Sequence, residues 1–132
     1  MESKVANNQG ILIVDDDNTV RDFLRRYLRQ KGFIRLFSVG SGEEAIELLK
    51  KEDIKLVFLD VKMPGLNGID VLRRIKKIAK ETGVIMITGY PEEDIVKEAI
   101  KEGAYDYIIK PFDLEYLELS LLSKIAMMKQ PE

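Results

Sequence analysis

The stretch Ile11-Leu12-Ile13-Val14-Asp15-Asp16-Asp17 decides the reading of this chain. Four apolar residues in a row, most of them β-branched, suit a short strand covered on both faces. The strand runs directly into three acids. Acids favour helix N-termini, and Asp17 or Asn18 suits the cap of a following helix. Capping uses one such residue, so three acids exceed what a cap needs.

Working outward, four more runs read as buried strands: Ile34–Val39, Leu56–Leu59, Val84–Ile87 and Tyr105–Ile109. Helical patterns separate them. The first helix spans Asn18 to about Lys31, places Val20, Phe23, Leu24, Tyr27 and Leu28 on one face, and stops at Gly32. The second starts at Ser41, with Glu44 completing a capping box, and turns Ala45, Ile46, Leu48 and Leu49 inward. The third follows Asn67-Gly68 and buries Ile69, Leu72, Ile75 and Ala79. The fourth begins at Pro91, a favoured first-turn residue, and ends at Gly103. The fifth runs from near Asp113 to about Met128. Strict alternation with short connections implies an α/β fold: a doubly wound parallel sheet of five strands with helices on both faces.

In such sheets the functional crevice lies beyond the C-terminal strand ends. The first strand leads to Asp15 and Asp16, the third to Asp60, the fourth to Thr88 and the fifth to Lys110-Pro111. The fold should therefore gather these groups at one edge. Closely spaced carboxylates repel one another and need protons or a cation. Mg²⁺, or Mn²⁺ in its place, suits an all-oxygen site. Beside such a cation a carboxylate can act as a nucleophile toward a phosphoryl group. A lysine can pair with phosphoryl oxygens and a threonine hydroxyl can donate to another.

Composition narrows the chemistry. The chain has 132 residues, enough for one domain, assigned to residues 10–128. Residues 1–9 read as a flexible segment and 129–132 as a flexible tail or the start of a linker. The net charge of −2 gives no electrostatic case for nucleic-acid contact by this segment. No apolar run reaches membrane-spanning length, and the N-terminus lacks a signal-peptide core; both fit a cytoplasmic protein. There is no cysteine and no histidine. That excludes thiolate sites, a His base and His-bound zinc. In a histidine-to-aspartate relay, the chain can only be the aspartate side.

Four fragments in order carry a resemblance that covers about residues 9–128. They are Ile11–Asp17, Phe58-Leu59-Asp60-Val61-Lys62-Met63-Pro64-Gly65-Leu66-Asn67-Gly68, Ile87-Thr88-Gly89, and Tyr107-Ile108-Ile109-Lys110-Pro111-Phe112. Together they are similar to the receiver domains of two-component response regulators of the chemotaxis-Y type. The resemblance implies a flavodoxin-like strand order 2-1-3-4-5. It implies Asp60 as phosphoacceptor and a Mg²⁺ (or Mn²⁺) held by Asp15, Asp16, Asp60 and the backbone carbonyl of Lys62, with Asp15 acting largely through water. Lys110 would pair with the phosphoryl group, and its bond to Pro111 would be cis. Thr88 and Tyr107 would form the switch that reshapes the face of the fourth helix, fifth strand and fifth helix. The donor would be a phosphohistidine of a sensor histidine kinase or phosphotransfer protein. The chain would be no general enzyme, acting only on its own aspartate. Lys62 and Tyr90, two residues after Asp60 and Thr88, would flank the phosphoryl group and slow its hydrolysis, and Gly89 would leave access open.

Two other readings compete. A haloacid-dehalogenase-type phosphatase also uses a strand-end aspartate, but wants a second acid where this chain has Lys62. A degenerate receiver could serve only as a dimerisation module. The fifth helix raises its own question. Leu114, Leu117, Leu121, Ile125 and Met128 form one stripe, and Leu119, Leu122 and Ala126 a second. One stripe suffices for packing on a sheet. The surplus suggests a homodimer seam, through this helix or through the switch face, or the root of a linker to an output domain, with transcriptional control one such output.

Overall fold

The computed structural model describes residues 8–63, 65 and 67–128. Five parallel strands form one sheet: β1 (Gly10–Val14), β2 (Leu36–Val39), β3 (Ile54–Asp60), β4 (Gly83–Thr88) and β5 (Asp106–Ile109). They stand in the order β2-β1-β3-β4-β5. The helices between them are α1 (Asn18–Gln30), α2 (Gly42–Lys51), α3 (Gly68–Ile78), α4 (Glu93–Lys101) and α5 (Leu114–Met128). The expected doubly wound fold and strand order are present. Of the expected flexible ends, all but Asn8 and Gln9 lies outside the described residues, as do Pro64 and Leu66 of the turn after Asp60.

Strand alternation divides the core into two layers. Leu12, Val14, Val57, Leu59, Val84 and Met86 face one side, packing with Ala45, Ile46, Ile69, Val71, Leu72, Ile75 and Ala99 of α2, α3 and α4. Ile11, Ile13, Leu56, Phe58, Ile85 and Ile87 face the other, against Leu24 and Leu28 of α1 and Leu117, Leu121 and Ile125 of α5. Burial of each such side chain contributes roughly 1.5–3 kcal/mol before entropy is counted. Because both faces are covered, the strands read as unbroken apolar runs.

Local chemistry sets the helix ends. Asp17 caps α1, accepting from the Thr19 N–H. Gly32 follows with φ 99°, the left-handed conformation that ends a helix. Ser41 caps α2, its hydroxyl accepting from the Glu44 N–H, while Glu44 reaches back to the Gly40 N–H and the Ser41 hydroxyl. Asn67 caps α3 through Asp70, and Asp113 accepts from Glu115 and Tyr116 at the head of α5.

Several expected boundaries shift. β2 begins at Leu36, and Ile34 is 67% exposed, because pairing with β1 starts only at the Arg35 carbonyl, which accepts from the Ile11 N–H. α4 begins at Glu93 rather than Pro91: Glu92 is the extended cap residue, so Pro91 precedes the helix. Phe23 and Leu114 are exposed, lying toward the margin of the α1–α5 layer. Ala79 is the cap residue of α3 and only half-buried. Of Met128 only the backbone is described.

Candidate functional site

The strand order places the ends of β1, β3, β4 and β5 along one edge. Register keeps them level: Val14 pairs with Leu59, Asp60 with Ile87 and Thr88 with Ile109. The residue after β1 and the last residue of β3 are therefore neighbours. Asp15, Asp16 and Asp60 each present a carboxylate oxygen within 4.8 Å of the others. Asp15 is fully buried, Asp60 is 4% exposed and Asp16 faces solvent.

Gly68 fixes the floor. A Cβ there would lie 2.6 Å from the Val61 Cα and 2.7 Å from the Asp60 carbonyl oxygen. Only glycine lets α3 start against the strand end that carries Asp60, and the Gly68 N–H donates to the Val61 carbonyl at 2.8 Å.

Lys110, just past β5, closes the cluster. Its ammonium is 3.0 Å from Asp15 Oδ2 and 3.8 Å from Asp60 Oδ2. The first contact is an ion pair without hydrogen-bond alignment, and Asp15 Oδ2 is otherwise unpartnered among the described residues. Asp15 Oδ1 accepts from the Asp17 N–H, and the Arg21 guanidinium donates to the Asp15 carbonyl. The bond from Lys110 to Pro111 is cis.

Burial, reinforced by the Asp15 charge, raises the Asp60 pKa from 3.8 to about 7; Lys110 and the Lys62 N–H pull the other way. One lysine thus does not balance the paired carboxylates. A buried carboxylate oxygen without a hydrogen bond, beside a second carboxylate held protonated near neutrality, suits a hard divalent cation. The donor set, all oxygen, fits Mg²⁺ or Mn²⁺ chemistry.

Thr88 and Tyr107 stand beside the acids on β4 and β5. Thr88 is buried, and its hydroxyl accepts from the Tyr90 N–H at 3.1 Å. The Tyr107 hydroxyl is buried without a hydrogen-bond partner among the described residues. Burial raises its pKa, the nearby Thr88 hydroxyl acts in the opposite direction, and the Glu92 and Asp60 charges add to the rise. The space at Gly89 is open: a Cβ there would meet nothing within 4 Å. Lys62 lies across the mouth, its N–H 3.3 Å from Asp60 Oδ1 and its ammonium 5.7 Å from the centre of the Tyr90 ring.

Asp15, Asp16, Asp60, Thr88 and Lys110 lie along this edge, while Tyr107 sits within β5, level with Met86 of β4. One participant escaped the sequence reading: Glu92, whose carboxylate meets Lys62 at 3.4 Å. The two are separated by thirty positions, and no spacing rule links them.

Residues 11–121 match the family described as Response regulator receiver domain. The chain is a response regulator receiver domain. This receiver is 38% identical to sporulation initiation phosphotransferase F of Bacillus subtilis, over 82% of this chain and 86% of that one. It is 37% identical to chemotaxis protein CheY-3 of Vibrio cholerae, over 92% and 95% of the two chains. Among solved structures it is similar to a CheX–CheY–BeF₃–Mg²⁺ complex from Borrelia burgdorferi, with TM-score 0.82, 32% identity and 87% of each chain covered. The receiver spans only 29% and 48% of two other curated relatives, a cyclic di-GMP phosphodiesterase and a transcriptional regulatory protein. Family membership sets aside the dehalogenase-type reading.

Proposed function

We propose that this receiver takes a phosphoryl group onto Asp60 from a phosphohistidine of a sensor histidine kinase or phosphotransfer protein, in a Mg²⁺-dependent reaction. The observation that carries the reading is the convergence of Asp15, Asp16, Asp60 and Lys110 on one buried point from three separate strand ends. We assign Asp60 as the nucleophile because its carboxylate ends β3, the middle strand of the sheet, within reach of Asp15, Asp16 and Lys110.

An Asp60 oxygen attacks phosphorus, forming a P–O bond as the P–N bond to the donor imidazole breaks. The imidazole leaves with that electron pair and takes up a proton from solvent. Asp15, Asp16, Asp60 and the Lys62 carbonyl would hold the cation, which supplies charge neutralisation for the incoming phosphoryl oxygens. Lys110 shifts from Asp15 toward those oxygens, and its charge is used most where negative charge gathers. The Thr88 hydroxyl gives up its bond to Tyr90 and donates to a phosphoryl oxygen. The Tyr107 ring then moves into the vacated space, which reshapes the α4–β5–α5 face. The chain acts on its own aspartate and on no other substrate.

Partners follow from the surface. A groove of about 380 Å³, lined by Val20, Phe23, Lys110, Pro111, Phe112 and Leu114, opens beside the site and suits a donor protein. The exposed Leu119 and Leu122 of α5 support a homodimer, through this helix or through the α4–β5–α5 face. The output we assign to that face is control of a partner or effector domain, transcriptional control among them. We assign residues 10–128 to the receiver and its place to the cytoplasm; among the described residues no helix is long and apolar enough to cross a membrane.

The test is intact mass after incubation with acetyl phosphate, with and without Mg²⁺, on the parent and on Asp60→Asn. One added phosphoryl group in the parent, dependent on Mg²⁺ and absent from the variant, is expected. A parent that gains no phosphoryl group and binds no beryllofluoride would leave only an interaction module.

A further inference from the structure

We propose that the Lys62 ammonium is shared between the acceptor site and the head of α4. It holds Glu92 while Asp60 is bare, and it is drawn away when Asp60 carries a phosphoryl group, which releases the first turn of α4. This rests on Asp60 being the phosphoacceptor.

The geometry places Lys62 between two anions. Its backbone N–H donates to Asp60 Oδ1, so its flexible stem is rooted beside the acceptor. Its ammonium meets Glu92 Oε2 at 3.4 Å and lies over the Tyr90 ring. Both side chains of the pair are more than half exposed, so the pair is weak and readily exchanged. A phosphoryl group on Asp60 adds negative charge at the root of the lysine, and phosphoryl oxygens are strong acceptors for an ammonium. The competition is between two anions for one cation.

Apart from Ile95, which packs half-buried on the core, little else among the described residues holds the head of α4. Helices α1, α2 and α3 each have a side-chain bond at the cap, from Asp17, Ser41 and Asn67, whereas Glu92 makes none. Ala99 is the single fully covered residue of α4. Ile95, on the first turn of α4, borders a groove of about 350 Å³ shared with Val61, Lys62 and Ile69, so that turn has room to shift. At its other end α4 is tied to α3, where Arg73 meets Glu98 at 2.7 Å and Glu102 at 3.1 Å. Loss of the Lys62 contact therefore frees the head and leaves the tail fixed.

The experiment is a double-mutant cycle on binding of beryllofluoride with Mg²⁺, using the full chain and the variants Glu92→Gln, Lys62→Met and both together. Removing the competitor should tighten beryllofluoride binding about two- to fivefold. Lys62→Met should weaken it, and in that background Glu92→Gln should change nothing. Amide hydrogen exchange of Val96 and Lys97, the first amides of α4 with helical partners, should rise when the parent binds beryllofluoride, and should already be high in unliganded Glu92→Gln. An equal gain from Glu92→Gln with and without Lys62 would reduce the effect to long-range charge and overturn the shared-ammonium reading, as would no gain at all. If the parent binds beryllofluoride and the cycle is flat, this inference alone falls. If the parent binds none, the phosphoacceptor reading falls and carries this one with it.

Discussion

The ammonium of Lys110 lies 3.0 Å from Oδ2 of Asp15, joining the ends of two strands that stand three places apart in the sheet. In the unphosphorylated protein the lysine is therefore closer to Asp15 than to Asp60, at 3.8 Å. It competes with any cation for the carboxylates and is positioned to turn to the phosphoryl group.

Replacing Lys110 should separate these roles. Lys110→Ala removes a positive charge from the cation's surroundings, so Mg²⁺ should bind more tightly, by about 1 kcal/mol. The same variant should lose most of its affinity for beryllofluoride in the presence of Mg²⁺. Calorimetric titration of each ligand measures both. Parallel loss of the two affinities would mean that Lys110 only supports the fold.

Asp60 predicts a pH dependence of stability. Its carboxyl titrates at about 7 in the folded chain and at 3.8 when unfolded, so between these values the native state holds the extra proton. Stability is then fully present below pH 3.8 and is lost as pH rises through about 7. No histidine titrates in that window to mask it. In metal-free buffer, urea unfolding should show the parent weakening from pH 5 to 8. Asp60→Asn should be flatter and more stable at pH 8 by roughly 1–3 kcal/mol. Saturating Mg²⁺ should flatten the parent as well. Identical slopes in parent and variant would show that Asp60 does not hold the proton.

Lys62 and Tyr90 stand over the mouth of the site as a stacked cation and ring. On the proposed assignment of Asp60 as acceptor, they flank its phosphoryl group and obstruct part of the approach of water, while the side at Gly89 stays open. Tyr90→Ala should therefore shorten the lifetime of the phosphorylated protein several-fold, followed as loss of the added mass after the donor is removed. Tyr90 is exposed, so the variant should unfold at the parent's urea concentration. An unchanged lifetime would show that the ring does not obstruct water.

The two sides of α5 should respond differently. Leu121 is fully buried, and Leu121→Ala should cost about 2–5 kcal/mol of stability. Leu119 and Leu122 are 66% and 52% exposed. Changing both to Ser should move stability by about 0.5 kcal/mol or less. It should also abolish concentration-dependent association of the beryllofluoride-bound chain in sedimentation velocity. Unaltered association would place the seam elsewhere.

Much of the fold was legible in sequence because the strands are covered on both faces and so read as apolar runs punctuated by caps. Asp17 and Ser41 cap where their residue types indicated, while Asn67, read only as part of a turn, caps a helix that already begins at Gly68. Errors fell where tertiary contacts outweigh local preference. Pro91 suits a first helical turn, yet the chain stays extended through Glu92 before α4 begins. Leu114 shares a stripe with buried Leu117, yet as the first residue of α5 it is only half covered.

What the sequence determined by itself is the alternation of strand and helix, and with it the edge on which Asp15, Asp60, Thr88 and Lys110 emerge. Parallel strands joined by right-handed crossovers carry every strand's C-terminal end to the same side, so position in the chain is enough. The tertiary structure alone decided that Lys110 leans on Asp15 rather than Asp60, that Asp60 is pushed to about 7, and that Lys62 meets Glu92. Those are matters of distance and desolvation between residues far apart in the chain. Coulomb energy and the loss of water depend on packing in three dimensions, which no local pattern encodes.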